Sequence, residues 1–217
     1  MDGELFARER ALVAPGAVHV PDWLDADRQR ELVAACREWA RPPAGLRTVR
    51  TPGGGTMTAR QVCLGWHWHP YAYARTVVDG DGTPVKPFPA WLDELGRRAA
   101  ADALGRAPEP YDIALINFYD GDARMGMHRD ADEKSDAPVV SLSLGDTCVF
   151  RFGNAETRTR PWTDVELRSG DLFVFGGPSR LAYHGVPRVR PGTAPAALGL
   201  TGRLNITLRV SGFPDDV

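Results

Sequence analysis

Two arginines, Arg203 and Arg209, stand at the ends of the alternating run RLNITLR near the C-terminus of the chain. If this run is a β-strand, its side chains alternate between two faces with a period of two. The arginines then share one face with Asn205 and Thr207, and the apolar residues share the other. Two guanidiniums on one face of an apolar strand need an anionic partner, because a buried unpaired charge is very costly. The run therefore predicts a clamp for a small dicarboxylate that is bound at both ends.

The segment His128-Arg129-Asp130 places two metal-ligating residue types two positions apart. On an extended segment both side chains point the same way, so that one metal ion can contact both. His184 comes much later in the chain and can join them only through the fold. Two histidines and one carboxylate form the facial triad of non-heme Fe(II) oxygenases, although zinc catalysis can use the same ligand types.

A second histidine pair, His67 and His69, is also two positions apart. It lies in a proline-flanked aromatic segment, residues 64–73, and has no evident third ligand. We interpret this pair as an aromatic surface or a substrate contact, and the segment as a loop.

The composition is that of an ordinary globular protein, with 217 residues, 43% hydrophobic residues and a formal net charge of -2. This length predicts one domain with a full core. The absence of a long apolar run and of a signal-peptide layout in residues 1–6 predicts a cytoplasmic protein without a membrane segment. Three widely spaced cysteines indicate neither a disulfide framework nor a zinc knuckle. The net charge leaves a nucleic-acid partner open, because a local basic rim is enough for binding.

Helices and strands must position these residues. Helical spacing of apolar residues predicts a helix over 24–40, capped by Asp25 or Asp27, and another over about 89–105 that begins near Pro89. Short apolar runs between turns predict strands at 113–119, 139–144, 148–152, 165–168, 172–175 and 203–210. The prediction is a mainly β, α+β fold in one domain over 1–217. A helical N-terminal extension (about 1–111) packs on an antiparallel barrel or jelly-roll core (about 112–211).

Several motifs, in this order, resemble the AlkB family. They are Asn117-Phe118-Tyr119, His128-Arg129-Asp130, the SLSLG run at 141–145, Gly170-Asp171, His184-Gly185 and the run at 203–209. The resemblance covers about residues 51–209. It implies a double-stranded β-helix with a nucleotide-recognition lid. It also implies an Fe(II)- and 2-oxoglutarate-dependent dioxygenase that demethylates N-alkylated bases in DNA, with RNA as a second candidate, and so repairs DNA by direct reversal. The products would be formaldehyde, succinate and carbon dioxide.

The resemblance also assigns roles to the residues of the inner site. It assigns iron to His128, Asp130 and His184. It assigns 2-oxoglutarate to Arg203 with Tyr119 and Asn205 at the distal carboxylate, and to Arg209 with Asn117 at the iron-chelating end. The period-two argument independently puts Asn117 and Tyr119 on one face of their strand.

For the lid, the resemblance implies contacts with the substrate from Thr51, Met57, Trp66, Tyr71, Tyr73, Asp132 and Arg158. Trp66 is expected to stack on the flipped base against His184. Asp132 is expected to accept a hydrogen bond from an exocyclic amino group, and Arg158 to contact the nucleic acid. Two departures from the family pattern bear on substrate preference: Gly55 replaces a common aromatic, and the loop from Trp66 to Tyr71 is short.

The partner implied is alkylated single- or double-stranded DNA, or RNA, bound by a monomer that also uses molecular oxygen. Three alternatives remain open at the level of sequence. One is a dioxygenase of the same fold that acts on a protein, a lipid or a small molecule. The others are a barrel-shaped binding module without turnover and a zinc hydrolase that does not need oxygen.

Overall fold

A computed structural model describes residues 7–106 and 108–214. Two antiparallel sheets, a short hairpin, two α-helices and two short 3-10 helices account for its regular structure. The strands are β1 (Ala11–Ala14), β2 (Ala17–Val20), β3 (Arg47–Arg50), β4 (Thr56–Leu64), β5 (His67–His69), β6 (Ala72–Ala74), β7 (Ile113–Tyr119), β8 (Met125–His128), β9 (Val139–Gly145), β10 (Cys148–Phe152), β11 (Thr163–Leu167), β12 (Leu172–Phe175), β13 (His184–Val189) and β14 (Arg203–Arg209). Residues 1–6, on which the signal-peptide prediction depends, lie outside the described residues.

The two main sheets face each other as a jelly roll, as predicted. The large sheet has the order β1-β2-β12-β9-β14-β7-β4-β3, and the small one has the order β11-β10-β13-β8. Aromatic side chains from both sheets meet between them: the rings of Phe150 and Phe173 are 4.9 Å apart, edge to face. A two-stranded hairpin, β5-β6, stands outside both sheets.

Both predicted helices are present and cover the outer face of the large sheet. Helix α1 (Ala26–Trp39) begins after Asp25, whose side chain accepts a hydrogen bond from the backbone of Arg28. Helix α2 (Ala90–Leu104) begins after Pro89. Their apolar residues pack on Leu204, Ile206 and Leu208 of β14. Among the described residues, no helix is long and apolar enough to cross a membrane.

The N-terminal third is less helical than the sequence predicts. Strand β2 pairs with β12, and β4 pairs with β7, so the extension supplies four strands of the large sheet. The predicted loop at 64–73 is wrong as well, because it forms the hairpin β5-β6 after a turn at Gly65. These strands have partners far away in sequence, which local patterning does not reveal. The division into an extension and a core near residue 112 stays a prediction.

Candidate metal centre and cosubstrate pocket

The pairing of two short strands brings the metal-ligating residues together. In the small sheet, His128 at the end of β8 lies directly opposite His184 at the start of β13, and their ring centroids are 4.4 Å apart. Gly185 permits this approach, since a Cβ there would lie 2.8 Å from the carbonyl oxygen of Met125. Asp130 follows two residues after His128. Ligand atoms of the three residues all lie within 4.8 Å of one another.

Each histidine of this triad presents the same ring nitrogen. Nδ1 of His128 lies 3.0 Å from the carbonyl oxygen of Gly126, and Nδ1 of His184 lies 2.9 Å from that of Ala182. A carbonyl oxygen can only accept, so Nδ1 donates and Nε2 keeps its lone pair. This is the way metal-bound histidines are usually oriented.

The charges of the triad fit a divalent cation. Asp130 Oδ2 is buried without a hydrogen-bond partner, and both imidazole Nε2 atoms lie 3.6 Å from this carboxylate. Burial by itself would raise the pKa of Asp130, but the positive charges of Arg209 and the histidines lower that pKa below its usual range. Burial and the charge of His128 lower the pKa of His184 to about 4. At neutral pH Asp130 is therefore a carboxylate and His184 a neutral imidazole. Together with His128 they form a donor set suited to Fe(II).

The polar face of β14 lines an inner pocket next to this triad, and so do Asn117 and Tyr119 of β7. Arg203 lies opposite Tyr119 in the β14–β7 pair and is 1% exposed. Its Nη2 donates to Ser143 Oγ at 3.0 Å, while Nε and Nη1 are buried without a partner. Among the described residues, the Tyr119 hydroxyl contacts only Met125 Sδ, at 3.8 Å. These unused donors fit a carboxylate.

The two asparagines of the pocket differ in whether their side-chain N–H groups are free to bind a ligand. Gln61 Nε2 donates to Asn117 Oδ1 at 3.1 Å, so the amide nitrogen of Asn117 remains available as a donor. In contrast, Asn205 Nδ2 donates to Ser141 Oγ at 2.7 Å and to the carbonyl oxygen of Leu142 at 3.2 Å. Asn205 thus lines the pocket with its N–H groups already used. Its direct contact with the cosubstrate stays a prediction.

Arg209 connects the pocket with the triad. Its Nη2 lies 2.6 Å from Asp130 Oδ1, and its Nη1 lies 2.8 Å from Glu133 Oε1 and 3.0 Å from the Tyr73 hydroxyl. Arg180 holds the other side of this cluster, since it pairs with Glu133 at 2.9 Å and donates to the backbone oxygen of Asp130 at 2.6 Å. Sequence reasoning missed Glu133 and Arg180. Their positions in the chain carry no recognisable spacing, although Glu133 lies only three residues after Asp130.

The inner pocket is narrow, about 40 Å³, and it adjoins an outer cavity of about 490 Å³. Both are lined by Asn117, Met125, His128, Asp130 and Arg209. The triad therefore stands at the junction between a cationic interior and a wide cavity. Five of the residues predicted for the lid line the outer cavity: Thr51, Met57, Tyr71, Asp132 and Arg158.

The structure corrects the prediction for Trp66. This indole is 3% exposed, packs with Cys63, Ile113 and Leu115, and donates to Asp112 Oδ2 at 3.1 Å. It cannot stack on a base against His184, which is itself buried beside Phe150 and Phe175. Trp68 lines the outer cavity instead. Residues 66 and 68 have the same parity, but the chain turns between β4 and β5, so alternation within one strand does not relate them.

Tyr73 and His67 also differ from their predictions. The Tyr73 hydroxyl donates to Glu133, and its ring lies outside the lining of the outer cavity. Tyr73 is therefore a half-buried partner of the Arg209 cluster rather than a substrate contact. His67 is 1% exposed, and its Nε2 lies 2.6 Å from Asp79 Oδ1, so it is no surface residue. Partners in other segments of the chain explain both corrections.

Comparisons with known proteins agree with this geometry. Residues 16–209 match the model of the 2OG-Fe(II) oxygenase superfamily. The chain is 39% identical over 203 residues to an alpha-ketoglutarate-dependent dioxygenase, an AlkB homolog of Caulobacter vibrioides, with 91% of this chain and 88% of the relative covered. It is 30% identical over 227 residues to the DNA N(6)-methyladenine demethylase ALKBH1D of Arabidopsis thaliana, with 94% of this chain covered but only 51% of that relative. This chain thus spans about half the length of that relative.

A solved structure shows the same fold. The structure of OsALKBH1 superposes with a TM-score of 0.83 at 31% sequence identity. The match covers 93% of this chain and 100% of the other.

Proposed function

This chain belongs to the AlkB family of the 2OG-Fe(II) oxygenase superfamily, and from that membership we propose that it removes methyl groups from N-alkylated bases of DNA, with RNA as a second candidate. As a member of the family it is a dioxygenase that uses Fe(II), 2-oxoglutarate and molecular oxygen. The observation that carries the proposal is the junction of the triad with both an interior rich in cations and a cavity wide enough for a base. Relatives named as DNA demethylases support the choice of substrate.

His128, Asp130 and His184 would hold the iron. Iron bound there with 2-oxoglutarate and oxygen supplies the oxidation of an N-methyl group, with succinate, carbon dioxide and formaldehyde as products. The second oxygen of Asp130 would gain the partner it lacks in the protein alone. The carbonyl groups that accept from Nδ1 of each histidine would keep both imidazoles oriented.

The inner pocket would bind 2-oxoglutarate through charge. Arg203 and Tyr119 would take the distal carboxylate, since their donors point into the interior without strong partners. Arg209 and Asn117 would take the end near the iron, because both line the junction of the two cavities. Placing the cosubstrate before the substrate arrives lowers the entropic cost of the reaction.

The outer cavity would receive the base. Its volume of about 490 Å³ lies within the usual range for small-molecule sites. A base inside a duplex cannot reach the triad, so it must be flipped or already single-stranded. At the rim, the guanidiniums of Arg129 and Arg158 lie 4.8 Å and 5.5 Å from the centre of the Tyr183 ring. Two cations held there can attract the phosphates next to the base.

The test is anaerobic reconstitution with Fe(II) and 2-oxoglutarate, followed by air and a methylated oligonucleotide. We expect loss of the methyl group by mass spectrometry, with formaldehyde and succinate in equal amounts. An unmethylated oligonucleotide is the control. If neither methylated DNA nor methylated RNA stimulates 2-oxoglutarate turnover, the substrate is instead a protein or a small molecule, which is the alternative that the same inner site allows.

The proposal extends to the state of the protein in the cell. We propose a monomer in the cytoplasm. Light scattering on a sizing column measures the mass in solution, and a dimer would overturn the first statement. Fractionation of cells that express the full chain tests the second.

A further inference from the structure

The indole of Trp68 borders the outer cavity between the β5-β6 hairpin and the loop after the triad. We propose that Trp68 determines which methylated bases are accepted. Its ring forms one wall of the cavity, and its N–H holds Asp132 so that a free carboxylate oxygen meets the exocyclic amino group of the base. This inference rests on the function proposed above and adds a specificity-determining residue to it.

The hydrogen bond between the two side chains has one direction. Trp68 Nε1 lies 2.8 Å from Asp132 Oδ2, and an indole N–H can only donate. Within the described part of the chain, Asp132 Oδ1 has no hydrogen-bond partner, and Asp132 also lines the cavity. A base with an amino group would donate to this charged oxygen. A base with a carbonyl group at the edge that meets Asp132 would place one acceptor against another, so no hydrogen bond would form.

The β5-β6 hairpin contacts two consecutive residues of the loop that follows Asp130. Trp68 lies directly opposite Tyr73 in the β5–β6 pair, so both side chains share one face. Trp68 donates to Asp132, and Tyr73 donates to the adjacent Glu133. The β5-β6 hairpin, which we call the hairpin lid, is therefore attached to the segment that begins with the triad carboxylate at Asp130.

The backbone of Trp68 is also held. Arg47 Nη2 donates to the Trp68 carbonyl oxygen at 2.5 Å. Arg47 itself pairs with Asp79 at 2.8 Å, and Asp79 accepts from His67 at 2.6 Å. A ring fixed in this way loses little conformational entropy when a base packs on it.

The experiment compares Trp68→Phe with Trp66→Phe. Phenylalanine keeps an aromatic wall but removes the N–H. Binding is measured anaerobically with Fe(II) and 2-oxoglutarate, by anisotropy of short single-stranded oligonucleotides that carry 3-methylcytosine, which has an amino group, or 3-methylthymine, which has a carbonyl. In Trp68→Phe, we expect the Kd for the 3-methylcytosine strand to rise roughly tenfold, as for one charge-assisted hydrogen bond. The Kd for 3-methylthymine should change less than about twofold.

The matched control, Trp66→Phe, should lower the melting temperature but leave both dissociation constants unchanged, because Trp66 lies in the core. A second variant, Asp132→Asn, removes the charge that Trp68 positions and should reduce the same preference even if Trp68→Phe does not fold. Trp68→Ala should weaken the binding of both oligonucleotides. A base stack is worth about 1–3 kcal/mol, which corresponds to a roughly 5- to 150-fold increase in Kd.

The outcomes separate this inference from the proposed function. If Trp68→Phe weakens the binding of both oligonucleotides equally, or of neither, the inference is overturned. This holds even where the wild type releases formaldehyde. If the preference for 3-methylcytosine depends on Trp68 but the wild type releases no formaldehyde, the role of Trp68 stands and demethylation is overturned.

Discussion

The inner pocket and the hairpin lid are built by different rules. The pocket lies on β7 and β14, whose neighbours on both sides fix the register, and their alternating polar residues face the interior as the pattern predicts. The lid rests on two strands of three residues each, which in the described part of the chain pair only with one another. Trp68 and Tyr73 of this hairpin are held by hydrogen bonds to Asp132 and Glu133. Paired strands thus position the cosubstrate pocket, and a docked hairpin positions the proposed substrate contact at Trp68.

The largest effect should come from the triad carboxylate. We expect Asp130→Ala to abolish demethylation and to reduce Fe(II) affinity by well over the roughly 100-fold that loss of an outer hydrogen bond can cost. Anaerobic titration with Fe(II) measures this. The exposed carboxylate of Asp122 serves as a control, because Asp122→Ala should change neither quantity. Unchanged Fe(II) binding in Asp130→Ala would break the metal-centre interpretation.

The next largest effect should show that Arg209 stabilises the fold as well as binding the cosubstrate. Arg209→Met leaves the buried carboxylates of Asp130 and Glu133 without their shared cation. We therefore expect both lost 2-oxoglutarate binding and a free energy of unfolding lower by about 3–5 kcal/mol. Urea denaturation without metal or cosubstrate measures the second quantity.

Arg203→Met should behave differently within the same pocket. Two guanidinium nitrogens of Arg203 are buried without partners, and the residue has no ion pair among the described residues. We expect 2-oxoglutarate binding to be lost while the free energy of unfolding stays within about 1 kcal/mol of the wild type or rises. Equal destabilisation by Arg203→Met and Arg209→Met would show that the two cations are equivalent, contrary to the structure.

The smallest effect should be confined to the lid. Burial and the charge of Arg47 lower the pKa of His67, although Asp79 accepts from it. The unfolded hairpin therefore binds the proton more readily, and hairpin stability should fall as the pH drops below about 6.5, by at most about 1.4 kcal/mol per pH unit. Hydrogen exchange of the β5-β6 amides at pH 5 and pH 7 measures this. In the wild type, the protection factors of the β5-β6 amides should be lower at pH 5 than at pH 7. In His67→Gln this difference should disappear. The protection factors of the β14 amides should not differ between the two pH values in either protein.

Local patterns were sufficient for part of this molecule. Asp25 and Pro89 stand at the predicted helix starts, and Leu204, Ile206 and Leu208 pack away from the pocket. The strands of the N-terminal extension were not predicted, because their partners lie far along the chain. Glu133 and Arg180 were missed for the same reason, because Arg209 and Arg180, the cations that pair with Glu133, lie far from it along the chain.

By itself, the sequence determined which residue types were available and which faces of β14 were polar and apolar, since alternation along an extended strand is a local property. Only the tertiary structure decided that His184 lies opposite His128, that Arg209 bridges Asp130 and Glu133, and that Trp68 rather than Trp66 lines the outer cavity. Those positions depend on turns and on pairing between distant strands. Pairing of this kind is set by the packing of the whole sheet and not by the neighbours of a residue in the chain.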